Sequence, residues 1–138
     1  MSGLAGIVDA AVDLGGPVVE SFEPENVTKL PYGMHDILGN AMRWDHSPTL
    51  DELSAGLGDL NRANLLSQQG NSAMLVINGA DDYFIPQSDT LVFQGRPNTE
   101  VHLIEGTGHV AMSKATEVVP MIIGWLRTQF TDNYVRSS

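Results

Sequence analysis

The fold is decided by residues 73–79, which read Ala-Met-Leu-Val-Ile-Asn-Gly. A short apolar run that contains β-branched residues and stops at Asn78 and Gly79 is typical of a strand buried on both faces. Residues 7–14 form a similar run that ends at Gly-Gly-Pro, and residues 101–104 form one that ends at Glu-Gly-Thr-Gly. These three runs predict about three parallel strands of an α/β fold.

Segments with helical patterning separate and follow these strands. Residues 88–94 begin with a polar N-cap candidate and are followed by a glycine at the C′ position. Residues 117–130 place their apolar side chains on one side at helical spacing. We expect Pro120 within the first turn of this helix, because farther along it would remove a backbone hydrogen bond.

The chain is expected to divide into four parts. Residues 1–17 contain a core strand, and residues 71–130 form a core unit of strand, helix, strand and helix. Residues 18–70 are polar and proline-punctuated at first and then show helical patterning over 34–44 and 50–66, which predicts a largely helical, cap-like insertion. Residues 131–138 are expected to form a tail.

Composition and charge exclude several classes of protein. The formal net charge is −10, from 7 Lys and Arg against 17 Asp and Glu, so the surface repels phosphate backbones and we expect no nucleic-acid partner. The absence of cysteine excludes disulfides and thiolate metal sites. No apolar run approaches the roughly 20 residues that span a bilayer, and the first residues lack the features of a signal peptide. The expected location is therefore the cytoplasm, without a membrane partner.

An acid and a histidine follow two of the predicted strands. Asp82 lies just beyond the strand at 73–77, and His109 lies just beyond the strand at 101–104. Functional groups of open α/β sheets gather at the carboxyl ends of the strands, so these two side chains can meet. A carboxylate that fixes the tautomer and orientation of an imidazole makes that imidazole a general base. Either residue alone is more often a turn former or a solvated side chain, but the pair favours catalysis.

These two segments resemble those of the α/β-hydrolase family. The segment Gly79-Ala80-Asp81-Asp82-Tyr83-Phe84-Ile85-Pro86 is similar to the family's Gly-x-x-Asp-x-x-Val/Ile-Pro segment, and the motif assigns the acid to Asp82 rather than Asp81. Glu105-Gly106-Thr107-Gly108-His109, with Trp125-Leu126 in the following helix, resembles the loop that presents the catalytic histidine. Residues 12–17 and 83–90 further resemble the branch of fermentation–respiration switch proteins and of fungal pigment-pathway hydrolases that shorten polyketides.

The resemblance implies the C-terminal half of a serine-type α/β-hydrolase, with residues 18–70 as its cap. The implied reaction is cleavage of an ester, or of a C–C bond next to a ketone, in a small-molecule carbonyl substrate. The family's nucleophile elbow, Gly-x-Ser-x-Gly, is absent, so the serine is expected from a missing N-terminal hydrolase half and this chain alone is expected to be inactive. The alternative is a truncated, non-catalytic binding or interaction module. An unpaired first strand leaves a homo-oligomer open.

Other side chains are candidates for the substrate pocket or for a metal. Tyr83 follows the acid, and Met34 and Trp44 could line an apolar pocket under the cap, although packing of the cap helices explains the last two equally well. The pairs His35-Asp36 and Asp45-His46 could contribute to an oxygen and nitrogen metal site, but polar groups of the cap are the favoured interpretation. No metal and no organic cofactor is expected.

Overall fold

The structure, a computed structural model, describes residues 8–66 and 72–136, with side chains as far as residue 131. In chain order the helices and strands are β1 (Ala10–Leu14), α1 (Pro24–Val27), α2 (Met34–Ala41), α3 (Leu50–Gly58), α4 (Ala63–Leu66), β2 (Ala73–Gly79), α5 (Gln87–Leu91), β3 (Thr99–Ile104) and α6 (Ala115–Arg136). Two 3-10 segments, Glu20–Phe22 and His109–Lys114, lie before α1 and before α6.

The three strands form one parallel sheet in the order β1-β2-β3. Leu14 at the end of β1 is level with Ile77, and Gly79 at the end of β2 is level with Ile104, so the carboxyl ends of the strands share one edge. The central position of β2 explains its uninterrupted apolar run, since a strand with neighbours on both sides and helices on both faces exposes neither face to water. The sequence-based prediction of a parallel α/β sheet with flanking helices is confirmed at this level.

The side chains of β2 alternate between two apolar clusters. On one face Leu75 and Ile77 pack with Val118 and Trp125 of α6. On the other face Val76 packs with Phe93, which follows α5, and with Val18, which follows β1. This alternation is the two-residue period of a strand that is sandwiched between layers.

The insertion between β1 and β2 has a small apolar cluster of its own. Val27 of α1 packs with Leu53 and Leu57 of α3, and all three are buried. The start of α3 is capped by a reciprocal pair of hydrogen bonds between Thr49 and Glu52. These helices are therefore held mainly by one another.

The two ends of the described part of the insertion lie side by side. The Arg62 N–H donates to the Val18 carbonyl at 3.0 Å, and the Asn61 side chain donates to the Val19 carbonyl at 3.5 Å. Residue 18, where the chain leaves the sheet, is thus joined by a hydrogen bond to residue 62, just before α4. Residues 18–19 and 61–62 therefore lie next to each other.

Asp89 of α5 holds the chain at residues 18–21, where the insertion begins. Its carboxylate is 1% exposed and accepts hydrogen bonds from the backbone N–H groups of residues 18–21 at 2.7–3.2 Å and from the Ser21 hydroxyl at 2.6 Å. Several backbone N–H donors on one carboxylate satisfy groups that burial would otherwise leave unpaired. Asp89 could not be singled out from the sequence, because its partners are about 70 residues away in the chain.

Some expected bounds differ from the structure. α6 begins at Ala115, so Pro120 lies in its second turn and the expectation that it occupies the first turn is wrong. The helix also continues to Arg136, past the expected end at residue 130. The expected helix over 50–66 is two helices, α3 and α4. Some residues of each expected part lie outside the described residues: 1–7 of the first, 67–70 of the insertion, 71 of the core unit and 137–138 of the tail.

Within the described ranges, no helix combines the length and the apolar character that a bilayer-spanning segment requires.

Candidate functional site

The loops that follow β2 and β3 are joined through their backbones. The Ala80 N–H donates to the Ile104 carbonyl at 3.0 Å, and the Asp81 N–H donates to the Thr107 carbonyl at 2.9 Å. Gly79 allows this approach, because a Cβ there would lie 1.9 Å from the carbonyl oxygen of Gly108. We call residues 78–85 and 105–111 the acid–histidine edge.

Asp82 and His109 meet at this edge. The Nδ1 atom of His109 lies 2.9 Å from Oδ2 of Asp82. The Asp82 side chain is fully shielded from solvent, whereas 43% of the His109 side chain is exposed. The other carboxylate oxygen, Oδ1, accepts hydrogen bonds from the backbone N–H groups of Phe84 at 2.8 Å and Ile85 at 3.2 Å. The carboxylate is therefore held on both of its oxygens.

The protonation of the pair follows from these contacts. Burial by itself raises the pKa of Asp82, but hydrogen bonds from His109, Asn78 and the two backbone N–H groups outweigh it and hold the pKa below its ordinary value. An ionised carboxylate only accepts hydrogen bonds, so Nδ1 of His109 must donate. In the neutral ring Nε2 is then the acceptor, and it has no hydrogen-bond partner among the described residues. This nitrogen can take up a proton.

An aromatic row leads outward from the histidine. Phe84 contacts the His109 ring edge to face at 5.8 Å between centroids, and Tyr83 contacts Phe84 in the same manner at 5.6 Å. Tyr83 is 67% exposed, and the Lys29 ammonium from the insertion lies 6.0 Å from its ring centroid. The structure thus brings Tyr83 close to the acid–histidine pair and to the insertion. Its role in substrate binding stays a prediction.

The other two candidates for the pocket lie in the insertion. Trp44 packs against the buried cluster of Val27, Leu53 and Leu57, so the packing role that we left open is observed. Met34 is the first residue of α2 and is half-buried. A contact of either side chain with substrate stays a prediction.

The backbone directly after His109 is strained. Val110 and Ala111 have φ values of 53° and 50°, in the left-handed region that non-glycine residues rarely adopt. For a β-branched residue such as Val110 the cost is about 1–3 kcal/mol, and such residues cluster at functional sites. The Ala111 side chain is fully buried among the apolar residues under α6, which offsets part of this cost.

Asn78, the residue before Gly79, is a member of the site that we did not foresee. We interpreted it as part of the turn that ends the strand, yet its side chain is fully buried and Nδ2 donates to Oδ2 of Asp82 at 2.9 Å. A signal was present in the sequence, because a polar residue at the end of a strand buried on both faces needs a partner inside the protein.

The histidines that were weighed as metal ligands have other partners. Nε2 of His35 lies 3.1 Å from the Val27 carbonyl. His46 lies between Asp45 at 3.2 Å and Glu52 at 3.1 Å on an exposed surface, and hydrogen bonds to both carboxylates raise its pKa. Within residues 8–66 and 72–136, no group of three or more His, Asp or Glu side chains is arranged to hold a metal ion.

Comparisons with known proteins add no family to this description. No protein-family model matches the chain, and no curated protein matches it. The geometry of Asp82 and His109 at adjacent strand ends is therefore the observation on which a functional interpretation depends.

Proposed function

We propose that this chain is the C-terminal portion of a serine-type α/β-hydrolase that cleaves an ester, or a C–C bond adjacent to a ketone. The observation that carries the proposal is the 2.9 Å contact between Nδ1 of His109 and Oδ2 of Asp82, beyond the carboxyl ends of two adjacent parallel strands. A shielded carboxylate on Nδ1 and a half-exposed ring with a free Nε2 suit general-base catalysis.

In the proposed mechanism, a serine from an N-terminal hydrolase segment attacks the carbonyl carbon of the substrate. Nε2 of His109 takes the serine proton and then donates it to the leaving group. Asp82 holds the ring with Nε2 outward and stabilises the imidazolium that forms. The N-terminal segment also supplies part of the oxyanion hole, since the family places one of its donors beside the nucleophile.

The insertion is the proposed cap over this site. The contact of Lys29 with Tyr83 supports this, because it connects the end of α1 to the loop that carries the acid. A cap in this place excludes water from the reacting carbonyl and shapes the pocket. Tyr83, with its exposed ring beside Phe84, is the residue we propose for contact with the substrate.

The test is complementation. The chain is expressed alone and together with the N-terminal segment taken from the sequence that precedes it in its source, and hydrolysis of p-nitrophenyl esters is measured. We expect turnover only for the combination, with loss of about 10⁴-fold or more in kcat for His109→Gln and for Asp82→Asn.

The matched control is His102→Gln. Like His109, His102 lies near a carboxylate, with its Nε2 atom 3.7 Å from Oε2 of Glu100. It differs because it lies within β3 rather than beyond the end of the strand. Its substitution should leave turnover unchanged. If the combination folds but neither turns over esters nor reacts with a fluorophosphonate probe, the proposed hydrolase is wrong and the non-catalytic module is favoured.

A further inference from the structure

Asn78 connects the two loops of the acid–histidine edge through one side chain. Nδ2 donates to Oδ2 of Asp82 at 2.9 Å, while Oδ1 accepts from the backbone N–H of Val110 at 3.0 Å and from that of Gly79 at 2.9 Å. Asp82 belongs to the loop after β2, and Val110 is the neighbour of His109 in the loop after β3. The carboxamide is thus the shared support of both members of the pair.

We propose that Asn78 is a positioning residue, which sets the tautomer and the orientation of His109 by holding Asp82 and the backbone of Val110 at the same time. The inference deepens the proposed function and rests on it. Asn78 does not face the reacting atoms, since it is fully buried. It acts through Asp82 and through the turn that carries the histidine.

The orientation of the carboxamide is determined by its partners. Two backbone N–H groups point at one end, which must therefore be the oxygen, and an ionised carboxylate faces the other end, which must be the NH₂ group. A flipped amide would place an oxygen against the carboxylate and N–H groups against N–H groups. The side chain has only one acceptable arrangement.

This arrangement fixes the oxygen that faces the histidine. Oδ2 of Asp82 accepts hydrogen bonds from Asn78 and from His109, while Oδ1 accepts hydrogen bonds from two backbone N–H groups. Rotation of the carboxylate would break several of these bonds at once. The imidazole therefore meets an acceptor whose position does not depend on solvent.

The same carboxamide holds the strained turn. Its oxygen accepts a hydrogen bond from the N–H of Val110, which directly follows His109 and has a φ of 53°. Gly15 packs closely against both residues, because a Cβ at Gly15 would lie 3.0 Å from Oδ1 of Asn78 and 2.9 Å from Cγ1 of Val110. Loss of Oδ1 leaves the part-buried Val110 N–H and the buried Gly79 N–H without this acceptor and frees the turn to relax.

No other residue type of this size supplies both functions. Aspartate keeps the shape and the acceptor for Val110, but it removes the donor and places a second carboxylate against Asp82. Leucine keeps the branched skeleton, with two bulkier methyl groups, and removes both donor and acceptor. The variants Asn78→Asp and Asn78→Leu therefore separate the two halves of the inference.

The experiment is nitrogen-15 NMR of the histidine rings in the chain as it stands, which needs no nucleophile. The wild-type spectrum should show His109 with its proton on Nδ1. His35 provides an internal reference of the opposite tautomer, because its Nε2 donates to a carbonyl oxygen. In Asn78→Leu, His109 should become a mixture of both tautomers while His35 is unchanged.

Asn78→Asp should raise the midpoint at which Asp82 titrates, because the carboxylate loses a donor and gains a negative neighbour. The Val110 amide signal should stay near its wild-type position in Asn78→Asp and move in Asn78→Leu. The matched control is Asn40→Asp on the exposed surface of α2, which should alter neither His109 nor Asp82.

A wild-type measurement keeps the inference open to refutation even if both variants unfold. The side-chain NH₂ signals of Asn78 should shift with the same midpoint as Asp82, since they hydrogen-bond to its carboxylate. If they do not, or if folded Asn78 variants keep the Nδ1–H form and the wild-type Asp82 midpoint, the positioning role is wrong and the proposed function stands. If wild-type His109 carries no proton on Nδ1, the proposed function itself fails.

Discussion

The acid–histidine edge and the insertion are held together in different ways. At the acid–histidine edge, buried polar groups and backbone atoms leave almost no freedom: Gly79 lies against a carbonyl, and Asn78 and Asp82 have all their polar atoms in hydrogen bonds. The insertion depends on a cluster of three buried apolar side chains, on exposed pairs such as His46 with Glu52, and on the hydrogen bonds of residues 18–21 to Asp89. The groups that could do chemistry are therefore on the rigid part.

Under the proposed function, this difference would suit a catalytic pair that needs exact positioning and a pocket wall that needs to select a substrate. A catalytic pair must be held within a fraction of an ångström, whereas a pocket wall has to fit a substrate and to open for it. The insertion exposes large apolar side chains, among them Tyr32 at 108% and Ile37 at 60%. Its helices are four to nine residues long.

The largest expected effect is at the acid–histidine edge. Gly79→Ala places a Cβ 1.9 Å from the Gly108 carbonyl oxygen, and because the obstacle is backbone, the whole histidine loop must move. We expect a loss of at least about 4 kcal/mol in the free energy of unfolding, together with loss of the His109–Asp82 contact. Urea unfolding and the histidine NMR signals measure the two effects.

The control for this substitution is Gly124→Ala. Gly124 is inside α6 with open space where a Cβ would stand, so alanine should stabilise the protein by about 0.5–1 kcal/mol through helix propensity. Two glycine-to-alanine changes are thus predicted to have opposite signs. Equal effects would mean that the close approach at Gly79 is not a constraint.

A smaller effect is expected in the insertion. Leu53 is fully buried in the insertion's cluster, and Leu53→Ala should lower the free energy of unfolding by about 3 kcal/mol through the cavity that it leaves. Amide exchange should accelerate in α1 and α3 and stay slow in β2. The control Leu60→Ala, at a residue that is 41% exposed, should change stability by about 0.5 kcal/mol or less.

Acceleration spread evenly over the insertion and the sheet would contradict this contrast. It would mean that the two regions unfold as one cooperative unit, and that the insertion does not have separate local stability.

The smallest effects are expected from two buried acids with opposite pH dependence. The pKa of Asp82 is lowered in the folded state, so its contribution to stability is present above its unfolded pKa and is lost as pH falls through the folded pKa. Burial raises the pKa of Asp13, and the negative charge of Asp89 raises it further, although a hydrogen bond from Gly16 lowers it. Ionisation of Asp13 therefore lowers the stability of the folded state as pH rises above the unfolded pKa.

Asp82→Asn and Asp13→Asn should therefore change the slope of stability against pH in opposite directions. The first should flatten the rise of the unfolding free energy with pH in the acid range, and the second should steepen it. Urea unfolding at a series of pH values gives both slopes. A change of the same sign in both variants would contradict the directions of these shifts.

The sequence predicted those parts of the fold that depend on local pattern. The apolar runs predicted β2 and β3 to within a few residues, and the ends of these strands predicted that the side chains of Asp82 and His109 meet. Such predictions succeed because strand periodicity and turn residues are encoded by neighbours in the chain, and because parallel strands must end at a shared edge.

The features that we did not predict depend on long-range partners. Asn78 has the sequence context of a turn residue, and only the fold brings the Val110 N–H to its oxygen. Asp89 likewise meets residues 18–21 through the packing of α5 beside β2. Pro120 shows the reverse case: a local rule placed it in the first turn, but α6 begins at Ala115, and Val118 before the proline already packs against the sheet.

The hydrogen bond between Arg62 and Val18 has a consequence for how this fold can vary. Because the Arg62 N–H donates to the Val18 carbonyl at 3.0 Å, the two ends of the stretch between these residues lie next to each other. The entropic cost of joining two such ends grows only slowly with the number of residues between them. In the proposed hydrolase, segments of other lengths between residues 22 and 62 would therefore add little entropic cost, provided that residues 18–21 keep their hydrogen bonds to Asp89.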